Sequence, residues 1–391
     1  MQCVKKLSSQ ARLCPLCARP SKKKGFTSAG RQRWYCSTCH YNFTAKRQDQ
    51  KRKKQFNEFL AYVTDTFPRR GQATSISTWD RTHAWCWHTR PAWQVTGEVY
   101  DQVFIDGTYI PYGWCILIAS TTEGVIAFQL CQHENKTSYK ALLSRIPAPI
   151  VVVTDGDKGA LAAINECWPG TIIQRCLVHI QRNIGHVTTM KPKTDQHKAL
   201  RQLGLSLTRI HTINEAIAWH KSLAAFHDLY DAWLDEKTYR DQVKTSDIPA
   251  FARGNKRWWY THHDTRRIIK SLDRYVKDGV LFTYLRTDLE VTTELASTTN
   301  YLEGGVNSPL KAFLYAHRGW PEERMLTAID YWLYARSVDP KPLQSFINNT
   351  TPPKNKPLKE PQPAPVEIDH AINTQAPWED NLHIRKSWTR H

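Results

Sequence analysis

The sequence predicts an α/β protein: a mixed sheet with an α-helical insertion, preceded by two small units. Two observations carry the core. Three β-rich apolar runs, "QVFIDGTYI", "GWCILIAST" and "GVIAFQL", are separated only by short polar turns, the pattern of an antiparallel meander. Helical and strand patterns then alternate: a helix from Ser138 to Arg145, a strand from Ile150 to Thr154, a helix from Lys158 to Cys167, and a short fifth strand in "TIIQRC". A third observation marks the N-terminal end. "CPLC" and "CSTC" set Cys14, Cys17, Cys36 and Cys39 in two pairs with eighteen residues between them.

The elements follow in chain order. Each C-x-x-C turns two thiolates toward one point, and two such knuckles complete a tetrahedral Cys₄ zinc site, which leaves no open position for chemistry. One structural Zn²⁺ is therefore expected in residues 1–45, with His40 as a substitute ligand that four cysteines make unnecessary. The basic stretch "KKKGFTSAGRQRWYC", including Lys22, Lys23 and Lys24, reads as a loop leading into a short strand. Residues 1–55 carry fifteen basic residues against one acidic residue, Asp49, so +14 of the net +18 lies there. That density points to a phosphate-rich partner, because neutralising phosphates releases counterions.

Residues 46–98 form a second unit, with Phe56, Leu60 and Val63 at helical spacing, Gly71 as punctuation and an aromatic helix ending before Pro91. Either a helix-turn-helix or a plain helical linker packing its tryptophans fits this pattern. No apolar run approaches a membrane span, and "MQCVKKLSSQARLC" lacks a signal-peptide core, so a cytoplasmic, nucleoid-associated protein without a membrane partner is expected.

In the core, two aspartates stand where apolar residues would be less costly. Asp106 interrupts a strand that runs from Val103 to Ile110, and Asp155 ends the run "IVVVTD". Asp155-Gly156 is also an ordinary turn signal. A turn explains Asp106 less well, because its strand continues and "PYG" supplies a better turn beyond it. Two carboxylates on neighbouring strands repel until a divalent cation joins them. A third acid is sought on a helix beside those strands. In "STTNYLEGGVNSPLKAFLYAHRGW", Glu303, Asn307 and Lys311 recur at i, i+4 and i+8. Gly304, Gly305 and Pro309 argue for a kink or two segments there. An exposed helix terminus with Glu303 in its first turn fits as well.

The order of D-G in a first strand, "VVVTDGDKGA", "RCLVHIQRN" and "TTNYLEGGVN" resembles the catalytic core of Mutator-like bacterial insertion-sequence transposases, over roughly residues 100–335. The resemblance implies a ribonuclease H-like fold at 99–335 with a DDE triad of Asp106, Asp155 and Glu303 holding two Mg²⁺ or Mn²⁺ ions. Cys176 and His179 match the family's C-x-x-H, and support of the site or contact with DNA is expected of them. The resemblance further implies cleavage and strand transfer at terminal inverted repeats, double-stranded DNA ends and target DNA as partners, and a homodimer on paired ends. Lys311 and Arg318 are expected near the phosphates.

Residues 186–295 are mostly helical in pattern and read as an insertion. Within it "GNKRWWYTHHDTRR" sets Arg257, Arg266 and Arg267 beside Trp258, Trp259 and Tyr260, either a clamp for phosphate and unpaired bases or core of the insertion. Nine of the 21 prolines fall after Val338, so residues 336–391 read as an extended or disordered tail. Two other functions fit parts of the pattern. One is a nuclease or resolvase with the same fold; the other is a non-catalytic zinc-ribbon DNA-binding regulator.

Overall fold

Asp106 lies on the third of five strands in a mixed sheet, and the surrounding chain explains how it comes to be there. The computed structural model describes residues 12–14, 17, 19–65, 75–94 and 97–350, without the side chains of 45–49. Cys3, the Gly71 turn and the tail from 351 onward fall outside the described residues. The chain divides into two compact units.

The first unit comprises described residues up to Ala92 together with Glu323–Trp332 and 341–350. Strands β1 (Lys22–Phe26), β2 (Gln32–Cys36) and β3 (Tyr41–Phe43) form an antiparallel sheet in that order. Lys22, Lys23 and Lys24 are thus on an exposed strand, not in the expected loop. Lys24 lies over the Tyr35 ring at 4.2 Å. Helix α1 (Ala45–Thr64) buries Phe56, Phe59, Leu60 and Val63, the expected apolar stripe with Phe59 added. Helix α2 (Ile76–His83) is capped by Ser75, whose hydroxyl accepts from the Thr78 N–H, and a 3₁₀ turn covers Ala84–His88. Phe56 and Phe59 pack edge-on against Tyr331, whose hydroxyl bonds Thr89 at 2.7 Å. The expected tail is structured at its start: Leu343–Phe346 forms a 3₁₀ turn with Phe346 buried, and Asn349 pairs with the Arg90 backbone.

The second unit comprises Trp93–Glu322 with Leu333–Pro340 among its described residues. Strands β4 (Gln102–Tyr109), β5 (Cys115–Ser120) and β6 (Val125–Cys131) form the expected antiparallel meander. Helix α3 (Lys136–Leu143), strand β7 (Val151–Thr154), helix α4 (Lys158–Cys167) and strand β8 (Ile172–Arg175) then alternate, with β7 and β8 parallel to β4. The strand order is β6-β5-β4-β7-β8. Strand alternation sorts β4 by face. Val103 and Ile105 join Leu142, Ala160, Ala163 and Trp168 in one core, leaving Phe104 and Asp106 for the opposite face.

The insertion packs α5 (Leu177–Thr188), α6 (Asp195–Leu207), α7 (Ile213–Leu234) and a later helix α8 (His263–Lys277) around Leu200, Trp219, Phe226 and Ile269. It is not helical throughout. Between α7 and α8, strand β9 (Lys237–Tyr239) pairs with β10 (Trp258–Tyr260). Trp259 is core of a small cluster with Ile248 and Ala252, while Trp258 is exposed under Lys237. Two adjacent tryptophans facing opposite ways have the period of a strand, a signal outweighed in the sequence by the flanking helices.

The segment carrying Glu303 is α9 (Asn300–Leu302), a π turn at Glu303–Asn307, and α10 (Ser308–Ala316) with Pro309 in its first turn. The kink expected from Gly304, Gly305 and Pro309 takes this form. Helix α11 (Glu322–Tyr334) follows.

Candidate active site

The interior of one strand, the end of a second and one irregular helix carry the candidate site. The register of β4 on β7 pairs Gln102 with Val151, Val103 with Val152 and Phe104 with Val153. Asp106 lies two residues beyond the last pair on β4, and Asp155 follows directly after the end of β7. Asp106 is buried, and Asn307 donates a 2.7 Å hydrogen bond to its Oδ2. The Tyr301 ring stacks on Phe104, 6.1 Å between centroids. Two residues on either side of Glu303 in the helix's own register therefore grip β4. Gln102 fixes the approach to this helix by exchanging two bonds with the Ala296 backbone.

Asp155 sits in a tight turn. Its Oδ1 accepts from the Asp157 N–H at 3.0 Å, and Asp157 caps α4 through a bond from the Ala160 N–H. Gly156 has φ +85°, and a Cβ there would strike the Arg175 guanidinium at 1.7 Å. Glycine is required for both reasons. The turn signal in Asp-Gly-Asp is real, and it leaves the Asp155 carboxylate half-buried at the strand end.

Glu303 is held by cations. Arg182 clamps it with two bonds of 2.9 and 2.7 Å, and His179 Nε2 lies 3.3 Å from Oε1. Cys176, His179 and Arg182 follow one another at i, i+3 and i+6 at the start of α5, so one helix face serves the site. Cys176 is fully buried and accepts from the Thr299 N–H and hydroxyl, both at 3.3 Å.

The charges act on one another across these elements. Burial, then the Asp155 charge, pushes the Asp106 carboxyl well above the usual carboxylate range, with Glu134 and Glu303 adding to the rise and His179 opposing it. Burial works against His179, yet neighbouring Cys176 and the charges of Asp155 and Asp106 raise it to about 10. Its buried Nδ1 has no hydrogen-bond partner among the described residues.

Glu134 is a buried acid beside β4 that the motifs did not single out. Its carboxyl fills the place a Cβ on Gly107 would take, at 2.5 Å, on the other face of β4 from Asp106. Cys115 and Tyr139 donate to it at 3.5 and 3.2 Å. Burial, then the charges of Asp155 and Asp157, lifts its carboxyl to about 7. The available signal was Gly107 itself, a strand glycine marking a close approach.

The remaining expected residues stand apart. Lys311 makes no hydrogen bond or ion pair among the described residues, and Arg318 lies over the Tyr315 ring at 5.0 Å. Among the described residues, the one group of three or more ligating atoms within 4.8 Å of one another is Cys14, Cys17, Cys36 and Cys39. Asp106, Asp155 and Glu303 do not close to that distance. The four thiols fit a metal by position; the backbone N–H of Cys39 pulls the Cys36 thiol down to about 6, while a bond with Cys17 and burial push the Cys39 thiol up to about 12. His40 turns its Nδ1 to the Tyr35 hydroxyl at 2.8 Å instead.

Residues 86–261 match the model of the Mutator family of transposases. A transposase for insertion sequence element IS905 from Lactococcus lactis is 28% identical over 196 residues, which is 46% of this chain and 47% of that protein. A probable transposase for an ISRM3-like element from Sinorhizobium fredii is 24% identical over 191 residues, 46% and 45% of the two chains. Over this part of the chain the likeness is to Mutator-family transposases of insertion sequences. The chain spans a little under half the length of these relatives. The family match holds Asp106, Glu134, Asp155, Cys176 and His179; Glu303 lies beyond it. Among the described residues, no helix is long and apolar enough to cross a membrane.

Proposed function

We propose that this protein is a DDE transposase that cuts and joins DNA at the terminal inverted repeats of an insertion sequence, on a ribonuclease H-like core. The observation that supports the reading is the Asn307 bond to buried Asp106, which ties the segment bearing Glu303 to β4, the strand beside the one that leads into Asp155.

The donor set fits a hard divalent cation. It consists of carboxylate oxygens together with Asn307 Oδ1, a buried acceptor with no hydrogen-bond partner. Asp106, Asp155 and Glu303 would hold two Mg²⁺ or Mn²⁺ ions. Bound there, the ions supply activation of water or a DNA 3′-hydroxyl and stabilisation of the departing 3′-oxygen.

The chain's own residues do the rest. Asn307 fixes the Asp106 carboxyl by its amide. His179, kept cationic, balances the acids and faces the phosphate. Arg182 holds Glu303 until the carboxylate is needed, and then offers its fork to a phosphate oxygen. Cys176 ties the α5 N-terminus to Thr299 and so to the Glu303 segment. Lys311, Arg318, Arg257 and Trp258 would contact DNA around the site, and Trp259 supports Trp258 from the core. One Zn²⁺ in the four-cysteine cluster would brace the N-terminal ribbon, whose Lys22, Lys23 and Lys24 would meet phosphates of the repeat. The partners are double-stranded element ends and target DNA, with two copies pairing two ends in the bacterial nucleoid.

A strand-transfer assay with one labelled terminal repeat and a target plasmid tests this. Mg²⁺-dependent joined product is expected. Cleavage without joining would reduce the reading to a nuclease, and DNA binding with neither reaction would reduce it to a regulator.

A further inference from the structure

Behind the Asp155 turn lies a cavity of about 890 Å³ between α4, α5 and α8, larger than one nucleotide needs and inside the usual range for ligand pockets. Its floor is apolar, formed by Ile180, Ile184, Ile268 and Leu272. Its rim is strongly basic: Lys158, Arg267 and Lys270 are exposed around it, against the single acid Asp278. Asn165 and Asn183 offer amide edges. An apolar floor, amide edges and a cationic rim are the chemistry of a planar base joined to phosphate.

The cavity is wired to the cleavage site. Its wall at Gly156 is the residue after Asp155, and Arg175 closes that wall. The buried Arg175 guanidinium donates to the Asp155 and Gly156 carbonyls and to the Tyr275 hydroxyl at 3.2 Å, lying 4.5 Å from the Tyr275 ring. Arg266, ion-paired with Asp235, covers the Tyr260 ring at 3.9 Å, and both line the cavity. Guanidinium planes and tyrosines are the surfaces on which unstacked bases are held. Arg266, Arg267 and Tyr260 belong to the basic aromatic stretch of the insertion, so that motif also lines a pocket.

We propose that this cavity binds an unpaired nucleotide of the DNA end, next to the phosphate that is cut. The inference rests on the DNA reading above, but its test needs neither metal nor cleavage. The full chain in EDTA is titrated with a fluorescent hairpin carrying a four-nucleotide single-stranded overhang and with its blunt counterpart. Each unpaired base that stacks strengthens binding, so the overhang should be preferred by about tenfold. In the double variant Lys158→Gln, Lys270→Gln the preference should fall to about one, with an unchanged melting temperature, because both side chains are exposed. The ratio cancels any general loss of charge. Deoxyadenosine monophosphate is the competing arm. Equal affinity for the two hairpins, a preference that survives the double variant, or tight binding of the free nucleotide without an overhang preference would each overturn the proposal. A protein that shows the preference but never cuts would overturn the transposase reading alone.

Discussion

The four-cysteine cluster and the three-carboxylate site are both built to gather like charges, and they differ in how far the fold goes toward doing so. In the ribbon, each pair of ligands is three residues apart, so two short turns bring four thiols within 4.8 Å. In the second unit the acids come from β4, the end of β7 and a π turn, 49 and 148 residues apart in sequence. Short turns enforce ligand geometry locally. A site assembled across a sheet must instead hold repelling carboxylates apart, and here Arg182 and His179 take up Glu303 while Asn307 takes up Asp106. The first cluster is closed on itself; the second stays open.

Breaking the closed site should have the largest effect. Structural zinc supplies about 10–16 kcal/mol of folding free energy in small zinc-bound domains. Cys36→Ser should therefore release one metal ion per chain, read by emission spectrometry, and unfold the ribbon. Asp155→Asn should leave that metal content unchanged.

Breaking the open site should abolish chemistry without unfolding. Asp106→Asn or Asp155→Asn should lower strand cleavage by about a thousandfold or more, since ions held by these oxygens supply several kcal/mol of transition-state stabilisation. Affinity for the terminal repeat should stay near wild type by gel shift.

The crowding of acids also sets a pH dependence. The Glu134 carboxyl rises from its ordinary value of 4.5 to about 7 in the folded protein. A raised acid stabilises fully below its unfolded value, and that contribution is lost as pH climbs through the folded value. Without divalent metal, the melting temperature should fall between about pH 4.5 and pH 7, a loss of about 3 kcal/mol from Glu134 at 1.36 kcal/mol per pH unit. Asp106, raised in the same direction, deepens it. Glu134→Gln should flatten that slope in a calorimetric pH series.

Asn307→Ala removes a buried bond to a carboxyl and should lower stability by about 1–3 kcal/mol, and it should depress kcat more than DNA affinity. The smallest effect is expected from Arg182→Ala. Its ion pair is partly exposed and contributes about 0–1 kcal/mol. Freed from Arg182, Glu303 should accept metal more readily, so the Mg²⁺ concentration for half-maximal cleavage should drop.

The same contrast explains what the sequence revealed. The cysteine spacing, the β4–β6 meander and the α4 boundaries were legible because each depends on residues within a few positions. Asp106 and Asp155 were legible as charges in apolar strands. Glu134 was not, because its role comes from Gly107, 27 residues earlier, across the sheet. Arg182 was hidden for a similar reason: its meaning lies in Glu303. The β9–β10 hairpin went unread because three-residue strands are too short to establish a period between long helices. Lys22–Lys24 looked like a loop since every side chain of that strand faces solvent.

The central claim is that the two aspartates and the released glutamate share divalent cations. An anomalous difference map from crystals soaked in Mn²⁺ tests it most directly. The account predicts a peak bridging Asp106 and Asp155, with Glu303 turned from Arg182 toward it. A map with no peak there, and Glu303 still paired with Arg182 at saturating Mn²⁺, would contradict it.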